Sequence, residues 1–127
     1  MRKRFVSWHS VLIAAVACSR STSPVCTQEA RPAVAVYVKN SSTSAGIASS
    51  ASLVVLDGNY KDSVAAPNNR PDLDNSPLFA AAERAGTYQV TVTKNGFAPW
   101  SQSDVRVTAN ECHVNTVTLT ALLQPES

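Results

Sequence analysis

The sequence predicts an all-β protein, a single seven-stranded-type antiparallel β-sandwich preceded by a signal peptide. Three observations predict it. Apolar and polar residues alternate with period two over several short runs, which puts successive side chains on opposite faces of a strand. Those runs are rich in Val, Thr and Tyr, the residues that suit a pleated, half-buried surface. Clusters of Gly, Asn, Asp, Ser and Pro separate them.

Taken in order, the first run is AVAVYVK after Pro32, with Val34, Val36 and Val38 on one face and Ala33, Ala35 and Tyr37 on the other. NSSTSAG then breaks it as a turn-rich loop. SLVVLDGNYKDSV reads as a hairpin, with Leu53 to Leu56 outward, Asp57-Gly58 as the tight turn and Tyr60 to Val64 on the return. APNNRPDLDNSP is the longest irregular stretch. Its Asp72, Asp74 and Asn75 read as a solvated loop in preference to a weak cation site.

LFAAAER has the composition of a short helix. Its place between strands predicts a strand instead, with Leu78, Ala80 and Ala82 on one side. Gly86 opens the clearest half-buried strand, with Tyr88, Val90 and Val92 facing one way and Gln89, Thr91 and Thr93 the other. Asn95-Gly96 ends it in a turn. Val105 and Val107 alternate in the next run, and Ala109-Asn110-Glu111 turns the chain again. CHVNTVTLTALL closes the domain as a long strand begun by Cys112, with Val117, Leu119 and Ala121 on one face. Each buried Val or Leu contributes about 1.5–3 kcal/mol. A core of Val and Ala is thin, so a covalent staple would matter.

The N-terminus carries a second message. Arg2, Lys3 and Arg4 precede an apolar run that is cleanest from Val11 to Ala17. This is the charged region, apolar region and small-residue cleavage zone of a secretory signal. The run is shorter than the roughly 20 residues that span a bilayer. Ala15-Val16-Ala17 fits ordinary signal cleavage after Ala17. Ala15-Val16-Ala17-Cys18 also resembles the lipobox of bacterial lipoproteins, with Ala15 where that family usually has Leu. The resemblance implies a lipid anchor on Cys18. Ser19 after it resembles lipoproteins sorted to the outer membrane in hosts with two membranes.

Cysteine parity agrees with an anchor. The chain has three cysteines, and an exported chain is expected to pair them. With Cys18 acylated, Cys26 and Cys112 remain as one disulfide. That bridge would close a long loop and contribute about 4–5 kcal/mol in the chain-entropy model. The alternatives are a soluble secreted protein with a free or intermolecular thiol, or a cytosolic chain with a misleading start. Residues 1–17 thus read as signal peptide, 18–31 as a lipid-anchored flexible tether, 32–123 as the sandwich and 124–127 as a tail.

The stretch AGTYQVTVTKNGFAPW with VRVTANECHVNTVTLTALLQP resembles the carboxypeptidase regulatory-like domains, which have a transthyretin-like sandwich of the broader Ig-like kind. Gly86 and Tyr88 in a G-x-Y-x-V pattern, Asn95-Gly96-Phe97 and the final Thr/Val/Leu strand carry it. The family implies an accessory module, structural or binding, with no catalytic residue to carry over.

The residues themselves point the same way. Three of the 11 basic residues lie in the signal and none of the 9 acidic ones does, leaving 8 against 9 in the exported part. No basic face remains for nucleic acid. Cys112-His113 lacks a second cluster to complete a metal site. No cofactor motif stands in the chain. His113 is the one histidine after the signal and would have to serve any nucleophilic arrangement. Glu83, Asp104 and Glu111 show no pairing. The expectation is a non-enzyme, anchored to a membrane, that binds an envelope protein or a carbohydrate. A purely structural envelope role is the alternative. The candidate binding loop is Phe97, Pro99 and Trp100, whose rings either contact a partner or cap the core.

Overall fold

The structure is a computed structural model that describes residues 23–127. The signal peptide and Cys18 lie outside the described residues. Seven strands make the fold: β1 (Pro32–Asn40), β2 (Ser52–Asp57), β3 (Tyr60–Ala65), β4 (Leu78–Ala82), β5 (Gly86–Thr93), β6 (Trp100–Val107) and β7 (Val117–Leu123). A single 3₁₀ turn, Pro71–Leu73, sits in the loop before β4. The strands form a three-stranded sheet, β4-β1-β7, and a four-stranded sheet, β3-β2-β5-β6. This is the β-sandwich that the alternation predicts.

All strand pairings are antiparallel except β1 with β7, which run parallel from Val34↔Val117 to Asn40↔Leu123. First and last strands therefore start at the same end of the sandwich. That end also carries the β2–β3 turn, the segment after β4 and the β6–β7 loop. The opposite end carries the loops after β1, β3 and β5.

The fully buried part of the inner faces is apolar. Val34, Val36, Val38, Leu53, Val55, Tyr88, Val90, Val92 and Leu123 are the largest fully buried side chains. Tyr88 is the one aromatic ring among the buried residues, and no buried polar or charged residue stands among those described. The Val34/Val36/Val38 and Tyr88/Val90/Val92 rows are those that period two assigns to the core.

Three local expectations are corrected, and β6 carries a bulge beside the buried Val105 and Val107. The β2–β3 loop is Gly58-Asn59, not Asp57-Gly58, because Asp57 still pairs with Tyr60. Gly58 takes positive φ, 56°, and a two-residue hairpin with positive φ at its first position favours Gly there. Asp57 is thus left on the strand with its carboxylate free for another task.

In β4, Ala82 is exposed and Ala81 is fully buried. Ala81 adopts φ 57°, which breaks the simple alternation. Its N–H donates to Asp62 Oδ2 on β3 at 2.8 Å, tying the edges of the two sheets together.

In the third case, Cys112 does not begin the last strand. It lies in a loop, and β7 starts at Val117. Asn110 Oδ1 accepts the N–H groups of both Cys112 and His113 at 2.9 Å, so Asn110 draws the chain into a turn instead of letting it extend. His113 accordingly stands in a loop, not on a strand.

β6 also departs from strict alternation. Tyr88 pairs with Val105 but Val90 with Gln102, so Ser103 and Asp104 together face one residue of β5. Asp104 takes φ 57°, and this bulge is what returns Val105 and Val107 to the buried face.

Candidate functional site

The most connected polar cluster lies at the end where β1 and β7 begin. Cys26 and Cys112 form a disulfide, with Cα atoms 5.2 Å apart and 86 positions between them in sequence. The next residue on each side reinforces it. His113 Nε2 lies 2.9 Å from Thr27 Oγ1, and its Nδ1 lies 2.6 Å from Glu83 Oε1. Glu83 Oε1 also accepts the Arg31 N–H at 2.7 Å, and Oε2 accepts the Val114 N–H at 3.3 Å. Glu83 N–H returns a bond to Arg31 O at 2.8 Å. The Arg31 N–H, then His113, hold the Glu83 carboxyl below the usual carboxylate range. Residues 26 to 31 are therefore joined to the sandwich at Cys26, Thr27 and Arg31.

Thr27, His113 and Glu83 stand in the atomic order of a hydroxyl–imidazole–carboxylate row. Their contacts join the segment before β1, the segment after β4 and the loop before β7. Both Glu83 oxygens accept backbone N–H groups, and the His113 side chain is only 9 % exposed. Among the described residues, the grooves beside Asp57 and Asp104, beside Phe79 and Ala82, and beside Pro67 and Leu78 are lined by other residues.

A second cluster stands beside the β2–β3 turn. Arg84 Nη1 donates to Asp57 Oδ2 at 2.9 Å and to the Tyr88 hydroxyl at 3.1 Å. The Tyr88 O–H donates in turn to Arg84 O at 2.6 Å. The Arg84 guanidinium lies 3.9 Å from the centre of the Tyr60 ring, close enough for a cation–π contact. A tyrosine at the start of a strand whose hydroxyl returns to the backbone upstream is a corner device of sandwiches. Gly86 is required here, because a Cβ would collide with the Asp57 carboxylate and crowd Arg84. The G-x-Y spacing thus has a local cause: Gly86 admits the ion pair and Tyr88 closes over it.

The candidate binding loop is placed against the core. Phe97 and Trp100 are half-buried and pack on the core cluster, while Pro99 is exposed. Gly96 at φ 84° completes the turn, with Phe97 N–H donating to Lys94 O at 3.1 Å. The residues after β7 lie along this loop. Phe97 bridges Pro125, Ala98 N–H donates to Gln124 O at 2.8 Å, and Glu126 N–H donates to Gly96 O at 2.9 Å.

Exposed apolar surface gathers elsewhere, on the outer face of the three-stranded sheet. Phe79 is 55 % exposed, Leu122 49 % and Tyr37 36 %. Register puts them on one face: Ala35 pairs with Phe79 and Thr118, Tyr37 with Thr120, and Lys39 with Leu122. Ala35 is only 5 % exposed although it belongs to this face, so its neighbours cover it. The face carries threonine hydroxyls, one lysine and no carboxylate. Its sequence signal was available, since period two sets Tyr37 opposite the Val34/Val36/Val38 row. Nothing in the spacing of Thr27, Glu83 and His113 announces their meeting, which depends on long-range pairing.

Two acidic residues of the loop before β4 are occupied locally. Asp72 forms an ion pair with Arg70 at 2.7 Å, and Asp74 Oδ1 accepts the Ser49 N–H at 2.8 Å. Among the described residues no group of three or more His, Cys, Asp or Glu is placed to hold a metal ion. No protein-family model matches the chain, and no curated protein matches it.

Proposed function

We propose that the chain is a non-catalytic, extracytoplasmic lipoprotein, anchored through Cys18, whose one domain is an accessory module of the carboxypeptidase regulatory-like type. It serves by binding a protein or a carbohydrate at the cell envelope. In a host with two membranes its place is the outer membrane. The observation that carries the binding role is the outer face of the β4-β1-β7 sheet. Three of the five exposed large apolar side chains lie there, uninterrupted by acidic groups. Half-exposed rings beside hydroxyls suit the apolar faces of sugars or an apolar protein patch. The single-sided purpose of Glu83, His113 and Arg84 in joining segments supports the non-catalytic part.

The test uses the mature chain and a Tyr37→Ala/Phe79→Ala variant. Binding is measured to peptidoglycan fragments and to neutral glucan oligosaccharides by calorimetry. Protein partners are sought by cross-linking in intact envelopes. Binding that disappears in the variant at an unchanged melting temperature supports the reading. Binding that survives puts the site elsewhere. If nothing binds but a complex of fixed stoichiometry co-purifies, the chain is a structural envelope protein. A native chain with no lipid on Cys18 would make it a soluble secreted one.

A further inference from the structure

We propose that the Cys26–Cys112 disulfide sets how far the domain reaches from its membrane, and that a protein dithiol can lengthen that reach by reducing it. The inference rests on the anchor reading of Cys18. With the bridge closed, the first residue fixed to the sandwich is Cys26, and residues 19–25 are what separates it in sequence from Cys18. Such a stretch spans at most about 25 Å. The end holding Cys26, the β2–β3 turn and the β6–β7 loop then faces the membrane. The loops after β1, β3 and β5 face away from it.

The contacts that hold residues 26 to 31 are uneven. Arg31 is fixed twice, donating to Glu83 Oε1 and accepting from Glu83 N–H. Thr116 Oγ1 adds a bond to Pro32 O at 2.7 Å. Residues 27 to 30 are all exposed, and apart from the disulfide the segment up to Ala30 has one long-range side-chain anchor of ordinary strength, Thr27 to His113. Opening the bridge therefore releases the chain up to Ala30 and leaves Arg31 in place. The sequence between Cys18 and the first fixed residue becomes residues 19–30, which spans at most about 43 Å.

The chemistry is thiol–disulfide exchange. Cys26 is exposed and Cys112 half-buried, so a thiolate of the dithiol attacks the Cys26 sulfur. The bond to Cys112 breaks, and Cys112 leaves as thiolate and takes a proton. The second thiol of the reductant displaces Cys26, which is released as a thiol. The protein disulfide gains two electrons and two protons, and the dithiol becomes a disulfide.

The test is backbone ¹⁵N relaxation on the mature chain before and after complete reduction with dithiothreitol. Order parameters of Thr27 to Ala30 should fall below about 0.6, while those of β5 stay near 0.85. A Cys26→Ser/Cys112→Ser chain should show the reduced pattern without reagent. A segment that stays rigid after reduction overturns the proposal. So does loss of order throughout β5, which would make the bridge a condition of folding and not a latch. An intact mass of the membrane-derived protein separates this from the anchor. A segment that loosens in a chain bearing no lipid on Cys18 leaves the latch but overturns its role in reach.

Discussion

His113 Nδ1 lies 2.6 Å from Glu83 Oε1, although 30 residues separate them in sequence. The contact joins the loop before β7 to the segment after β4, and through Arg31 it also fixes the approach to β1. Three pieces of chain that never touch in sequence thus meet on one carboxylate.

The acid response follows from that carboxylate. Its pKa in the folded protein is lowered, first by the Arg31 N–H and then by His113. A lowered carboxylate adds stability that is complete above its unfolded value and vanishes as pH falls through the folded one. Glu83→Gln should therefore melt below wild type at pH 6. The two melting curves should converge as the pH drops below about 4, the ordinary carboxylate range. Melting temperatures of both chains across this acid range check it. A gap that persists unchanged at pH 2 would mean that Glu83 acts through shape alone.

Gly86 and Asp57 should be energetically coupled. A methyl group at Gly86 meets the Asp57 carboxylate and the Arg84 guanidinium, so Gly86→Ala forces their ion pair apart. Overpacking of this kind costs about 1–3 kcal/mol. In an Asp57→Ala background the obstacle is gone, and the same substitution should cost markedly less. A double-mutant cycle by urea unfolding measures the difference. Equal costs in both backgrounds would place the need for Gly86 in its backbone and not in the ion pair.

Much of this fold was legible because alternation is a local property. The rows Val34/Val36/Val38 and Tyr88/Val90/Val92 read directly as core, and both are buried. The failures lie where one residue left the extended conformation. Ala81 at φ 57° reverses the exposure expected of Ala82, and Asn110 folds Cys112 and His113 into a loop by accepting both their N–H groups. Ala81 does not announce such a departure by composition, and Asn110 marks a turn without showing that it reaches past Cys112 and His113. The Cys26–Cys112 pairing followed from parity, not from local pattern. The Thr27–His113–Glu83 cluster was hidden because its parts come together only after β1 has paired with both β4 and β7.

Trp100 and Pro99 should behave differently although they are adjacent. Trp100 is half-buried on the core cluster and opposite Val92 on β5, while Pro99 is exposed. Trp100→Ala should destabilise the domain by about 1–3 kcal/mol through lost apolar burial. Pro99→Ala should stay within about 0.5 kcal/mol. Chemical denaturation of the two variants decides it. A Trp100→Ala chain with an unchanged midpoint would return that ring to the surface as a contact for partners.

The last expectation concerns the strength of the bridge once opened. A cross-link between residues 86 positions apart restricts the unfolded chain strongly, worth about 4–5 kcal/mol in the chain-entropy model. Part of that is returned in the folded state, because residues up to Ala30 regain freedom when the bridge is gone. The net loss in a Cys26→Ser/Cys112→Ser chain should therefore be smaller, about 2–4 kcal/mol, within the range seen for native disulfides. No buried side chain of the core is a cysteine, so the two sheets should survive the change. Urea unfolding followed by circular dichroism measures the loss. A cooperative transition with a lower midpoint and an intact β spectrum in water is the expected result. A chain already unfolded without denaturant would show that the sheets depend on the bridge.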